Sequence, residues 1–338
     1  MSALTIADTG SPTVLALVGY GYWGPNLLRN YMELPGAAVK TVCDTRPAAL
    51  EKVRQRYPAV HTTTDFAGVL ADGDVEAVVI ATPIATHYAL AKAALEAGKH
   101  VFVEKPLALN HEQLEEVIAA QRETGRVLMP GFNRRFSPLS IAVRDFFAGR
   151  SSPIEVIVRV NAGTLKADSW YQDPEEGGWR IISEGCHFVD LIQFICGCHA
   201  VQVYAEMIGG HVRGKQNDNC AVTLKMADGS VGMLAYVANG DPYFEKERIE
   251  VFGQGRTAVI ENWQSARLSG GGRTRKVSPG SSGKGHNHEL AAFVAAIAQG
   301  GDGPTSFADS VAVTQATLAI EKSLCCGERV DVPVVSTV

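Results

Sequence analysis

The stretch Gly19-Tyr20-Gly21-Tyr22-Trp23-Gly24 decides the fold of the first half of this chain. Residues 14–18 before it form an apolar run, and Pro25 after it suits a first helical turn, where the missing N–H costs nothing. A glycine turn between strand and helix has a defined job in a nucleotide-binding sheet. Gly19 makes the tight turn, Gly21 lets backbone approach a pyrophosphate, and Gly24 lets the helix pack closely on the strand. The helix start adds the positive end of a dipole. Asp44, at the end of the next apolar run (39–43), is placed to accept hydrogen bonds from adenosine ribose hydroxyls. Its charge disfavours a 2′-phosphate, so the cofactor reading is NAD. Arg46 nearby keeps NADP as the second option.

Outward from that turn, strand and helix signals alternate through the first 130 residues, which predicts a doubly wound parallel sheet. Strands are predicted at 61–63, 75–81, 100–103 and 127–131, with helices at 47–57, 65–71, 87–97 and up to Thr124. Thr86 reads as an N-cap and Gly98 as a left-handed terminator. Asn110 with Gln113 reads as a capping box. The second half is β-rich and partly alternating, at 154–160, 201–208, 221–226, 231–238, 248–252 and 257–260, with one helix at 185–196. Asp228-Gly229 is a hairpin signal. This pattern predicts an α+β domain with a mostly antiparallel sheet and helices on one face. The run 267–285, rich in Gly, Ser, Lys and Arg, reads as a mobile surface loop, with a cationic lid over an anionic substrate as the second option, and helices at 289–299 and 307–325 close the chain. The expected organisation is a flexible tail (1–12), a Rossmann-like α/β domain (13–130) and a substrate and oligomerisation domain (131–338). The final helices are expected to pack back toward the first domain.

Bulk properties narrow the function. A chain of 338 residues is long for one core. A net charge of −5 argues against a nucleic-acid partner. No run approaches the roughly 20 apolar residues that span a bilayer, and the start lacks a signal peptide's basic and apolar regions. The expectation is a cytoplasmic protein with no membrane partner. Seven cysteines, an odd number, suggest reduced thiols rather than a disulfide framework. His286-Asn287-His288-Glu289 lacks a further partner at known ligand spacing and reads as a helix start, so no metal is expected.

Lys105 lies in Val101-Phe102-Val103-Glu104-Lys105-Pro106, where a later parallel strand ends. Ligands of such sheets lie at the carboxyl ends of the strands. A partly desolvated lysine there can exchange a proton with a substrate hydroxyl while a nicotinamide takes the hydride. Thr82 and Pro83 end the preceding strand and would border the nicotinamide half of a dinucleotide. His87, just beyond, is a helix-start residue that is also a candidate cofactor contact.

The glycine fingerprint, Ala81-Thr82-Pro83 with His87, Glu104-Lys105-Pro106, and Gly131-Phe132-Asn133 with Arg135-Phe136 together resemble the Gfo/Idh/MocA oxidoreductases, over residues 13–325. The resemblance implies a Rossmann domain joined to an open-faced β-sheet domain. It also implies oxidation or reduction of a carbon of a sugar, inositol or sugar nucleotide with NAD(P). By the same resemblance Lys105 is catalytic, and Glu104 lies near the nicotinamide ribose, with Tyr22, Trp23, Thr82, Pro83 and His87 among the cofactor contacts. The family usually carries an aspartate and a histidine four residues apart on a helix crossing the active site. Here His187 takes the histidine position and Ser183 the aspartate position, with Glu184 beside it. Positions 184 and 187 share a helical face, so Glu184 and His187 are expected to orient the substrate or relay its proton. Asn133, Arg135, Asn161 and Ser183 complete the expected substrate contacts. The stretch with Asn161-Ala162-Gly163, Trp170, Asp173-Pro174 and Gly177-Gly178 is similar to a subgroup of polysaccharide and sugar-nucleotide pathways. A homo-oligomer, dimer or tetramer, through the open sheet follows from the same likeness. Two alternatives stand beside the dehydrogenase or ketoreductase: a redox-neutral NAD-dependent glycosidase or epimerase, and a non-catalytic NAD-binding sensor.

Overall fold

The computed structural model describes residues 11–165, 179–209, 218–280, 283–300 and 305–333. Most of the expected tail at 1–12 lies outside these residues, as do Trp170, Asp173-Pro174 and Gly177-Gly178. The chain divides into two compact units, Met1–Gly131 with Glu289–Ser310, and Phe132–His288 with Val311–Val338.

The first unit is a six-stranded parallel sheet wrapped by helices. Its elements are β1 (Thr13–Val18), α1 (Gly24–Met32), β2 (Ala37–Cys43), α2 (Pro47–Arg56), β3 (His61–Thr63), α3 (Phe66–Ala71), β4 (Ala77–Ile80), α4 (His87–Glu96), β5 (His100–Val103), α5 (His111–Thr124) and β6 (Leu128–Pro130). The strand order is β3-β2-β1-β4-β5-β6, so the winding reverses between β1 and β4. That reversal opens a crevice at the carboxyl ends of the strands. Every residue of β4 is buried, as a strand covered on both faces requires. Pro25 opens α1, and Leu27, Leu28 and Tyr31 form its buried stripe. Asn110 caps α5 through the Gln113 N–H at 2.9 Å, while the Gln113 amide oxygen accepts from Leu109 N–H, closing the box one residue early. Thr86 does not cap α4: its hydroxyl lies 2.7 Å from Pro83 O, inside the turn before the helix.

The second unit is built on a nine-stranded sheet. Its elements are α6 (Pro138–Phe146), β7 (Glu155–Asn161), α7 (Cys186–Cys196), β8 (Ala200–Met207), β9 (Cys220–Met226), β10 (Val231–Val237), β11 (Glu247–Gly253), β12 (Arg256–Glu261), β13 (Ser265–Gly270) and β14 (Arg273–Val277), then α8 (His286–Gln299), α9 (Phe307–Cys326) and β15 (Val330–Asp331). Most of α8 belongs to the first unit, where Phe293 meets Phe102 of β5 edge-on at 5.7 Å. The order is β14-β13-β12-β11-β7-β10-β9-β8-β15, antiparallel except for the β7–β10 pair. The loop expected at 267–285 is in large part the β13–β14 hairpin. Gly271 and Gly272 both take positive φ, 58° and 73°, and so make a tight turn. β14 is a charged edge strand, Arg273-Thr274-Arg275-Lys276, with no core face and hence no apolar period to read.

One face of this sheet is packed and the other is open. Val156, Val158 and Val160 of β7 are buried, whereas Glu155 is exposed and Ile157 and Arg159 are half-buried. α7 lies on the packed face. It can approach because Gly232 carries no side chain: a Cβ there would sit 2.5 Å from Ile192 Cγ2. α7 itself is buried almost all round, including Asp190. The Asp190 carboxylate accepts from the Arg135 guanidinium, both side chains being almost fully shielded from water. Replacing Asp190 with Ala removes the buried carboxylate that this guanidinium pairs with. The expected cost is about 3–5 kcal/mol, read as a lower urea midpoint, with part of it recovered in the Arg135→Leu/Asp190→Ala double variant.

Candidate active site

In the first unit the glycine turn is forced by close backbone contact. Gly19 has φ +95°, and a Cβ on it would lie 2.4 Å from Ala81 O of the segment after β4. A Cβ on Gly24 would lie 2.2 Å from Gly19 O. Neither position tolerates a side chain. Gly21 differs, since only the Arg46 guanidinium comes within reach of its missing Cβ, at 3.7 Å. That leaves backbone accessible where a diphosphate would lie, ahead of the α1 N-terminus. Asp44 follows β2 and is buried. It accepts from Tyr20 N–H at 2.7 Å and from Arg46 N–H at 2.8 Å, and pairs with the Arg46 guanidinium at 2.9 Å. Burial works against its charge, but the Arg46 and Tyr20 hydrogen bonds outweigh it and hold the carboxyl below the usual range. The Arg46 side chain is 61% exposed and can turn outward to give ribose hydroxyls access to that carboxylate. These residues fit a dinucleotide.

Lys105 stands just past β5, half-buried, at the carboxyl end of the sheet. Its flanks are pinned. Glu104 N–H donates to Ile80 O of β4 at 2.9 Å. The carbonyl of Pro106 is held by His87, whose Nδ1 lies 2.9 Å from it while Nε2 lies 2.9 Å from Thr82 O. The fully buried His87 ring therefore ties the loop after β4 to the loop after β5. It acts on the positions of Thr82 and Lys105 rather than as an open cofactor contact. Burial lowers its proton affinity, against the two carbonyls, and the Lys105 charge adds to the effect. Desolvation pushes the Glu104 carboxyl up to about 7, although Lys105 and a hydrogen bond from Trp23 hold it down. Tyr22, expected among the cofactor contacts, is 93% exposed at the tip of the glycine turn.

In the second unit Glu184 lies in a π-helical turn, Ile181–Gly185, that leads into α7. Such turns recur at functional sites because they re-aim side chains within a helix. The Glu184 carboxylate accepts from Tyr236 OH at 2.5 Å, Lys246 Nζ at 2.7 Å and Arg180 Nη2 at 3.0 Å. Burial opposes its ionisation, but Lys246, Tyr236 and Arg180 together hold it down to about 2. A carboxylate gripped this way organises cations; it does not trade protons near neutrality. A second carboxylate, Glu247, is fully buried at the start of β11, in the core-facing set with Ile249 and Val251. It takes a bidentate Arg134 guanidinium (2.9 and 2.9 Å), the Trp263 indole N–H (2.6 Å) and Lys284 Nζ (2.7 Å). The Arg134 guanidinium also lies over the Phe188 ring of α7 at 4.7 Å.

The other expected residues fall into two groups. His187 is buried on α7, its ring edge-on to Phe132 at 6.2 Å, beside the Glu184 cluster. Ser183 is fully buried and its hydroxyl donates to Trp179 O at 3.2 Å. Asn133, Arg135 and Asn161, expected to touch substrate, each make side-chain bonds within the second unit. Asn133 Nδ2 donates to Lys284 O at 2.8 Å, Arg135 pairs with Asp190, and Asn161 Nδ2 donates to Asp241 O at 2.7 Å. Arg134, Arg180, Tyr236, Lys246, Glu247 and Lys284 were missed. Their one sequence signal is Glu247, a charge in the parity of a core-facing strand. Among the described residues no group of three His, Cys, Asp or Glu side chains can hold a metal ion, and no helix is long and apolar enough to cross a membrane.

Comparison with known proteins gives this arrangement its class. Residues 14–132 match the oxidoreductase family with an NAD-binding Rossmann fold, and residues 147–259 match the GFO/IDH/MocA C-terminal domain. The chain belongs to the Gfo/Idh/MocA family and is an NAD-binding oxidoreductase. It is similar to 4-carboxy-2-hydroxymuconate-6-semialdehyde dehydrogenase of a Sphingobium species, 37% identical over 67% of this chain and 72% of that protein. It is also similar to inositol 2-dehydrogenase of Rhizobium meliloti, 30% identical over 71% of this chain and 73% of that protein. Levoglucosan dehydrogenase, solved with NADH and levoglucosan, shares the fold, with a TM-score of 0.85 over 96% of this chain and 100% of that chain at 23% identity.

The Glu184 cluster sets an acid limit. Its carboxyl is depressed to about 2 from an ordinary 4.5, so the stability it lends is complete above that ordinary value and is lost as pH falls toward 2. Urea midpoints taken down this range should fall steeply in the parent protein and more gently in Glu184→Gln. Equal slopes would show that the cluster contributes nothing to acid stability.

Proposed function

We propose that the chain is an NAD-dependent dehydrogenase acting on a hydroxyl carbon of a sugar, sugar nucleotide or cyclitol, or a ketoreductase running the same step in reverse. The observation that carries this reading is Lys105, held at the carboxyl end of the parallel sheet by the His87 bridge between Thr82 O and Pro106 O. Inositol and levoglucosan, named in two of the relatives, support a polyhydroxyl ring as the substrate. In this reading Gly19, Gly21, Gly24, Asp44, Thr82, Pro83 and Glu104 hold the dinucleotide. NAD, when bound, supplies the hydride acceptor. Lys105 takes the proton of the substrate hydroxyl as its carbon loses hydride, and returns it in the reverse direction. The second unit binds the substrate, with His187 orienting a hydroxyl. Glu184 fixes Lys246, Arg180 and Tyr236 around it. Buried thiols such as Cys43 and Cys220 suit a reducing cytoplasm.

A homo-oligomer through the open sheet face belongs to the same proposal. Tyr204, Thr223, Met233, Ile157 and Glu250 lie side by side across β8, β9, β10, β7 and β11. Tyr204 and Met233, with Val231 and Phe252 on the flanking row, are exposed. An exposed apolar row of this kind marks an association surface, and a second copy matches it by symmetry.

Two measurements test these readings. Lys105→Met should reduce kcat/KM for polyol oxidation about 10²–10⁴-fold while NAD binding, followed by fluorescence, stays at the parent level. Near-normal turnover would remove the lysine from the chemistry, and turnover without net NADH formation would favour the redox-neutral glycosidase or epimerase. For the assembly, sedimentation at micromolar concentration should give an oligomer for the parent chain and a monomer for Met233→Glu; a monomeric parent rules the proposal out.

A further inference from the structure

Around Glu184 and Glu247 the second unit gathers more cations than carboxylates. Glu247 is matched by the bidentate Arg134 guanidinium and the Trp263 indole N–H. Glu184 is matched by Arg180 and the Tyr236 hydroxyl. A second cation is then added to each, Lys284 to Glu247 at 2.7 Å and Lys246 to Glu184 at 2.7 Å. Asp218 is a further carboxylate facing Arg180, so that of the groups named here four cations meet three carboxylates. Partly burying a surplus ammonium is unfavourable unless something negative arrives to meet it. Desolvation already lowers the Lys284 amine, and both Arg134 and Lys246 add to the strain. His286 beside it is pressed down to about 4 by burial, Arg134 and Lys284, so it adds no charge at neutral pH.

The exposures show where the surplus points. The Glu247 and Glu184 side chains are 0% and 18% exposed, whereas Lys284 and Lys246 are 34% and 40% exposed. The two amines are therefore more open to solvent than the carboxylates they pair with. Each ammonium has three donors and spends one on its carboxylate. Both amines are partly open to solvent, and Lys246 lies close enough to Lys284 to bear on its charge. The cluster lies beside the start of α7, since Glu184 immediately precedes that helix and Arg134 lies over Phe188. His187, the proposed substrate-orienting residue, is on the same turn.

We propose that Lys246 and Lys284 form an oxyanion-recognition site, so that the preferred substrate is a hydroxylated compound carrying a carboxylate or a phosphate. This rests on the reading of the second unit as the substrate-binding half. The two ammonium groups bind the oxyanion with charge-assisted hydrogen bonds, and Glu184 and Glu247 hold them in place. Selectivity for acidic over neutral polyols follows from the surplus charge: a neutral ring leaves it uncompensated.

The test uses the NAD-saturated full-length protein and three probes, D-glucuronate, glucose 6-phosphate and glucose, titrated calorimetrically at constant ionic strength. At least one acidic probe should bind about tenfold or more tighter than glucose. Lys246→Met and Lys284→Met should each weaken that probe by a similar factor, weaken glucose much less, and leave NAD affinity at the parent level. Lys246→Arg should retain most of the acidic-probe affinity. Preference for glucuronate identifies a carboxylate ligand, and preference for glucose 6-phosphate a phosphate. Equal binding of glucose and both acidic probes, no binding of either acidic probe, or unchanged acidic-probe binding in both Met variants overturns the proposal. NADH formation is followed in parallel. Oxidation of neutral polyols without acid selectivity defeats the oxyanion site and leaves the dehydrogenase standing. Lysine-dependent binding of an acidic probe with no NADH from any polyol does the reverse.

Discussion

The first unit depends on a contact between two stretches of backbone. Gly19 leaves β1 with a positive φ, directly against the carbonyl of Ala81 as the chain leaves β4. Those are the two strands between which the winding of the sheet reverses. Any side chain at Gly19 would drive them apart, and any side chain at Gly24 would lift α1 off the turn. The crevice for a dinucleotide exists because nothing but backbone occupies that spot. Asp44 and the Thr82–Pro83 loop are placed by the same sheet. Lys105 follows from the next strand over, with His87 bracing the two loops against each other.

The second unit is governed by buried charge instead. Its central helix, α7, carries Asp190 into the interior, and β11 carries Glu247 there. Both carboxylates are desolvated and must be met by cations, which Arg135 and Arg134 supply from adjacent positions in the chain. Those pairings fix a short 3₁₀ segment, Asn133–Phe136, against α7 and the sheet. Asn133 then holds Lys284 by its carbonyl. Asn133 and Arg135, which look like ligand contacts in sequence, thus carry internal bonds of the second unit as well. Lys246 and Lys284 are the more exposed cations of the cluster, and the proposed oxyanion site is built on them.

The alternation of strands and helices up to Gly131 was legible because each element carries its own period, cap or terminator. Gly125 at φ 62° and the Asn110 cap are local features that a short window contains. The β13–β14 hairpin was not legible, because an edge strand without a packed face has no apolar period to display. Lys105 and Asp44 could be placed at the carboxyl ends of β5 and β2 because that position follows from where an apolar strand ends. The Glu184 cluster could not be, since Arg180, Tyr236 and Lys246 converge from separate elements and each looks like an ordinary polar residue in its own segment.

The sequence alone determined the parallel sheet, the dinucleotide turn and the lysine beside it. Steric rules at glycine and the two periodicities of buried residues act over a few neighbours and are written in order along the chain. Tertiary structure alone decided which charges are spent and which are offered. Arg135 is consumed by Asp190, 55 residues away, and Glu247 gathers partners 113 and 37 residues away, at Arg134 and Lys284. Whether a charged side chain braces the fold or meets a ligand depends on the low-dielectric space around it and on the counter-charge brought there, and neither exists until the chain has folded.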